Sequence, residues 1–224
     1  MKDEKLHHLL QVVIDHYIGK GDPIWSKFLN SLESVDYAPS TIRKYLNILE
    51  KEWLLYQPYD SSGRVPTVAW LSSYMDALID KKEEDFDELK FDVEYARNDL
   101  RSVVETLWGY VDGAAVWFLK EDEYFYLGIN NLLKESLIDD HETTRYLIKF
   151  IESKELVQTL DAKMMKRWEV YYTILESREK MISIVYTKFE VNWFDAVVSV
   201  IWPSRVDHKR NINILKKMLG KLEE

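Results

Sequence analysis

The stretch from Pro39 to Thr67 leaves this chain few ways to fold, because its apolar pattern changes period halfway along. Ile42, Tyr45, Leu46, Leu49 and Trp53 recur at the three-to-four residue spacing that places side chains on one helix face. Pro39 suits the first turn of such a helix, where its missing N–H would have no intrahelical partner. Ser40, Lys44, Asn47 and Lys51 fall on the opposite face, with Arg43 on the flank. Trp53 to Gln57 then reads as a strand, Asp60-Ser61-Ser62-Gly63 as a turn and Arg64-Val65-Pro66-Thr67 as a returning strand.

Upstream, Leu6, Leu9, Leu10, Val13, Tyr17 and Ile18 predict a helix that stops at Gly19-Lys20-Gly21. A short helix is predicted over 26–31, with Ser26 placed to cap it. Three helices followed by a strand, turn and strand is the order of a winged helix-turn-helix. A further helix is expected over 68–80, and the acidic run from Asp80 to Asp87 marks a domain boundary.

Beyond it, Phe86, Leu89, Val93, Ala96, Leu100, Val103 and Leu107, continuing to Tyr110, alternate +3 and +4 as heptad core positions do. A long connecting helix follows from that pattern, and the same positions are candidate dimerisation residues. The alternative is a helix packing its stripe onto its own C-terminal domain; heptads of this length occur in both settings. Strand-like runs at 114–119, 124–127, 168–175, 182–191 and 194–202 alternate with helical runs at 142–165 and 207–222. The fold class expected is α+β: an N-terminal winged helix over 1–80, a linker and long helix over 81–111, and a C-terminal domain with an antiparallel sheet over 112–224.

Composition narrows the function. The chain has no cysteine, so thiolate metal sites and thiol nucleophiles are excluded. Its five histidines show no metal-ligand spacing, and there is no glycine-rich phosphate loop or nucleophile elbow. No catalytic residue, metal or cofactor is predicted. No stretch approaches the roughly 20 apolar residues of a membrane helix, and the expected location is the cytoplasm with no membrane partner. A net charge of −9 argues against nucleic acid, because phosphate contacts call for Lys and Arg. The excess is local, however: residues 76–100 hold ten acidic and four basic side chains, whereas 38–70 hold three acidic and four basic.

Pro39-Ser40-Thr41-Ile42-Arg43, Leu49-Glu50, Gln57-Pro58 and Ser62-Gly63-Arg64-Val65-Pro66-Thr67 together resemble the signature of the HrcA-type heat-shock repressors. Val13 to Ile18, Gly21-Asp22-Pro23-Ile24 and Ser26-Lys27 are similar to that family's first two helices. Glu105-Thr106-Leu107, Gly113-Ala114-Ala115-Val116, Asn130-Asn131-Leu132-Leu133 and Pro203 to His208 resemble its later blocks. Trp25, Trp53 and Trp202 stand where the family leads one to expect glycine, and Ala38 where it has serine. A four-residue turn between Leu119 and Tyr124 takes the place of the family's inserted dimerisation domain.

The resemblance implies a repressor of heat-shock and chaperone genes, binding an inverted-repeat operator in double-stranded DNA as a homodimer, with a GAF-like C-terminal domain and chaperonin as a further partner. Ser26, Lys27, Ser40, Thr41, Arg43, Lys44, Asn47, Ser62, Gly63 and Arg64 are the implied DNA-binding residues. Arg43 or Lys44 would suit guanine and Asn47 adenine. Arg64, read as a hairpin-tip arginine, would suit a phosphate or a narrow minor groove. Against these stand a merely solvated helix face for α-helical Ser40 to Lys51, and for Arg64 a turn arginine paired with Asp60. Two other functions remain: a regulator whose GAF-like domain senses a small-molecule ligand, and a protein–protein adaptor.

Overall fold

The computed structural model describes residues 2–20, 22–81, 90, 93–120, 123–133, 141–161, 163–177, 180–191, 194–203 and 208–223. They form two compact units, Met1–Met75 and Asp76–Glu224.

In the first unit, α1 (Lys2–Lys20) buries Leu9, Leu10, Val13 and Ile14. The short α2 (Ser26–Leu29) contributes Leu29, and α3 (Pro39–Lys51) contributes Ile42, Leu46 and Leu49. Ser26 does not cap α2 as expected: it is the first helical residue, and Trp25 occupies the cap without a side-chain hydrogen bond. Ala38 caps α3 by its backbone alone, its carbonyl accepting from the N–H of Thr41 and of Ile42. β1 (Leu55–Tyr56) and β2 (Val65–Pro66) pair antiparallel. Ile24, between α1 and α2, adds a third rung by exchanging both backbone hydrogen bonds with Arg64, at 2.9 and 2.8 Å. That rung requires glycine at position 63, where a Cβ would lie 2.5 Å from the Ile24 carbonyl oxygen. Leu71 and Met75 of α4 (Val68–Asp80) complete this core.

Trp53 departs from both of its expected roles. It neither extends the buried stripe of α3 nor opens β1; it has φ +57° and is 78% exposed. The helix has ended at Lys51, and the chain needs a left-handed residue to turn into β1.

The second unit is α+β. Its five-stranded antiparallel sheet runs β4 (Glu123–Leu127), β3 (Ala114–Lys120), β7 (Phe194–Pro203), β6 (Lys180–Val191), β5 (Val170–Ser177). Alternation sends Ala114, Val116, Phe118, Ile182, Ile184 and Ile201 to one face. They meet α7 (His141–Glu152), α8 (Glu155–Asp161) and the 3-10 turn Ile129–Leu133 in one core. Tyr124 ties the edge strand to that layer, its hydroxyl donating to the Ile151 carbonyl at 2.6 Å, and burial pushes its phenol pKa upward. The single helix expected over 142–165 is broken at Lys154, which has φ +62°. Lys216 of α9 (His208–Glu223) donates through Nζ to the carbonyls of Leu78, Ile79 and Lys81, satisfying the last turn of α4.

The long connecting helix is corrected to two. α5 (Val93–Asn98) stops before Asp99, which is extended at φ −138° and ψ 103° and caps α6 (Leu100–Tyr110). Its carboxylate accepts from the Arg101 N–H at 3.0 Å. Asn and Asp are weak helix formers and strong caps, so the Asn98-Asp99 step ends one helix and begins another. Of the heptad residues, Ala96, Leu100, Val103 and Leu107 are buried. α5 and α6 pack against α9, and α6 also against β3 and β4. Val93 is half-buried; Phe86 and Leu89 lie outside the described residues.

Candidate nucleic-acid interface

The burial of Ile42, Leu46 and Leu49 fixes the rotation of α3, and with it what the helix offers to solvent. Ser40, Arg43, Lys44 and Asn47 are exposed and spaced +3, +4 and +7, so they form one polar strip; Thr41 at its border is half-buried. The first turn of α3 carries no acidic residue, and its last turn carries Lys51. Lys27 on α2 is exposed, while Ser26 is half-buried. The positive end of the α3 dipole and these cations give the first unit a local surface suited to anions, despite the acidic balance of the whole chain.

The hairpin departs from expectation. Ser62 is 2% exposed, its hydroxyl donating to the Gly63 carbonyl at 2.9 Å and accepting from the Tyr59 N–H at 3.4 Å. Gln57 closes the turn by donating from Nε2 to the Ser62 carbonyl at 2.9 Å. Ser62 and Gly63 therefore shape the hairpin from inside. Arg64 is not a free tip residue, nor does it pair with Asp60. Its Nη2 donates to Glu50 Oε2 at 3.0 Å and reaches Asn47 Oδ1 at 3.5 Å, and its side chain is 19% exposed. Glu50 is the partner of Arg64 that sequence reasoning missed. Its position next to Leu49 in the motif was visible, but nothing in the linear sequence says that α3 and β2 lie side by side.

At the other flank of α3, Tyr37 stacks edge-on with Tyr45 at 6.1 Å and holds the His8 ring through a 3.0 Å hydrogen bond. These contacts fix α1 against α3. The exposed aromatics Trp25, Trp53 and Tyr59 surround the same unit without entering its core. Among the described residues there is no group of three or more His, Asp or Glu side chains able to hold a metal ion, and no helix is long and apolar enough to cross a membrane.

Residues 70–212 match the family described as HrcA protein C terminal domain. The heat-inducible transcription repressor HrcA of Syntrophobacter fumaroxidans is 34% identical over 100 residues, 45% of this chain and 29% of that protein. The repressor of the same description from Chromobacterium violaceum is 38% identical over 79 residues, 35% of this chain and 23% of that protein. The matched stretch thus spans less than a third of either relative. Among solved structures, the crystal structure of a hypothetical protein superposes with a TM-score of 0.71 and 16% identity, covering 98% of this chain and 97% of that one. That likeness is one of fold.

Proposed function

This chain belongs to the HrcA family, and on that premise we propose that it is a transcriptional repressor of heat-shock genes whose N-terminal unit is a winged helix reading an inverted-repeat operator as a homodimer. The observation that carries the reading is the polar strip Ser40, Arg43, Lys44 and Asn47 on α3, set in a frame of three helices, the Ile24 rung and a hairpin. A recognition helix enters the major groove with its N-terminal residues against base edges, and those positions are the ones left in solvent here. Arg43 and Lys44 are the proposed base or phosphate contacts, with Lys27 on the backbone. The names of the relatives, heat-inducible repressors, supply the regulatory sense. Chaperonin would be the partner that keeps the repressor active.

The test is binding of the full chain to an inverted-repeat duplex that it selects from a random pool, to one half-site and to a shuffled duplex, at two salt concentrations. Tight binding to the repeat is expected, weakened about tenfold or more in Arg43→Ala or Lys44→Ala, since a good base contact is worth about 1–3 kcal/mol. Equal, weak binding to all three duplexes overturns the reading. Adding chaperonin to the same assay should raise the active fraction of repressor; no change removes that partner.

One observation favours the ligand-sensing alternative. A groove of about 760 Å³ runs along α7, lined by Leu133, His141, Arg145, Ile148 and Lys149. A metabolite that raised the melting temperature and altered operator affinity together would support that reading.

A further inference from the structure

We propose that Glu50 and Arg64 form a brace that aims the Asn47 amide, so that Arg64 influences DNA sequence preference through Asn47 rather than by holding a phosphate. The proposal rests on the DNA-reading function above. Arg64 is fixed at its backbone by two hydrogen bonds to Ile24, and at its head by Glu50 Oε2 at 3.0 Å and Asn47 Oδ1 at 3.5 Å. Its Nε is buried without a partner, so the polar contacts of the guanidinium are those to Glu50 and, more loosely, Asn47. Both contacts leave from one nitrogen, Nη2, whose two N–H groups can each meet one acceptor.

The consequence falls on Asn47, which is exposed on the polar strip of α3. Its Oδ1 turns back towards Arg64, which leaves the Nδ2 amino group as the face offered to a ligand. An amide presented donor-first suits a base edge that displays acceptors, such as O6 and N7 of guanine or O4 of thymine. The adenine contact expected from sequence, if made bidentate, would use the carbonyl oxygen as well, and that oxygen faces Arg64 in the free protein. Arg64 is thus a positioning residue and Asn47 a specificity-determining one.

Two measurements on the full chain test this. In the free protein, the Asn47 side-chain amide resonances should shift in Arg64→Ala and in Glu50→Ala; unmoved resonances overturn the brace. Against the selected duplex, both variants should lower the ratio of selected to shuffled affinity about tenfold, at the same base pair whose preference Asn47→Ala erases, with the salt slope unchanged. Glu50→Gln, which keeps an acceptor, should lose less. A salt slope reduced by about one unit in Arg64→Ala with the ratio kept marks a phosphate contact and overturns the proposal. So does a ratio that rises in Glu50→Ala, the result expected if breaking the pair merely freed Arg64 for the backbone. Should wild type not discriminate between duplexes, the DNA-reading function falls, while the amide resonances still decide the brace.

Discussion

Trp53 holds a left-handed backbone conformation with most of its ring in water, a combination that costs a bulky residue energy on both counts. The reason is positional: α3 must end and reverse into β1 within three residues, and the Thr67 hydroxyl fixes the turn by donating to the Trp53 carbonyl at 2.7 Å. Glycine enters this conformation without the Cβ clash. Trp53→Gly is therefore expected to stabilise the chain by about 0.5–1 kcal/mol, the strain relieved less the added freedom of the unfolded chain. Thermal denaturation measures it, and a melting temperature that falls would mean the exposed ring makes a contact the turn needs. Arg64 teaches a related lesson. Its place in the Gly63-Arg64-Val65-Pro66-Thr67 motif was legible, but which carboxylate it meets was not, because Glu50 is fourteen residues away in sequence and adjacent only once β2 lies along α3.

At the scale of elements, the apolar period located the helices and strands well and misjudged their continuity. The run from Val93 to Tyr110 keeps a heptad period through Asp99, yet the chain leaves the helix there because the Asp99 carboxylate satisfies an N–H of the next helix. Periodicity reports which side chains face one way; it does not report a local break that preserves the register. The break also bears on dimerisation. Val103 and Leu107 are fully buried within their own unit. Val103→Asp should therefore unfold the second unit, because an unpaired charge in a packed core costs several kcal/mol. Loss of near-ultraviolet circular dichroism is the expected result. A variant that stayed folded and sedimented as a monomer would return the stripe to the role of a dimer seam.

For the molecule as a whole, Met1–Met75 and Asp76–Glu224 each possess a core of their own, one of helices and a small hairpin, the other built on both faces of a five-stranded sheet. Units with separate cores can open as separate cooperative blocks. Native-state hydrogen exchange in rising denaturant should then give two cooperative blocks that divide near Met75. A single block with one opening free energy would show that the two unfold as one. Under the proposed function the outcome would bear on regulation, since a loss of about 1–2 kcal/mol in one unit is enough to change its folded pool several-fold.

The sequence by itself determined which segments are helices and strands, the α+β class of the second unit and the polar strip on α3, because these follow from the period of apolar residues and from turn chemistry that acts over a few positions. It also carried the family, through motifs spaced over most of the chain. Tertiary structure alone decided that Ser62 and Gly63 lie inside the hairpin and that Trp53 stays in water. It also decided that Ile24 is a rung of the small sheet, and that Glu50 holds Arg64 beside Asn47. These are relations between residues distant in sequence, set by which surfaces pack together, and no local pattern of residues encodes a distance across the core.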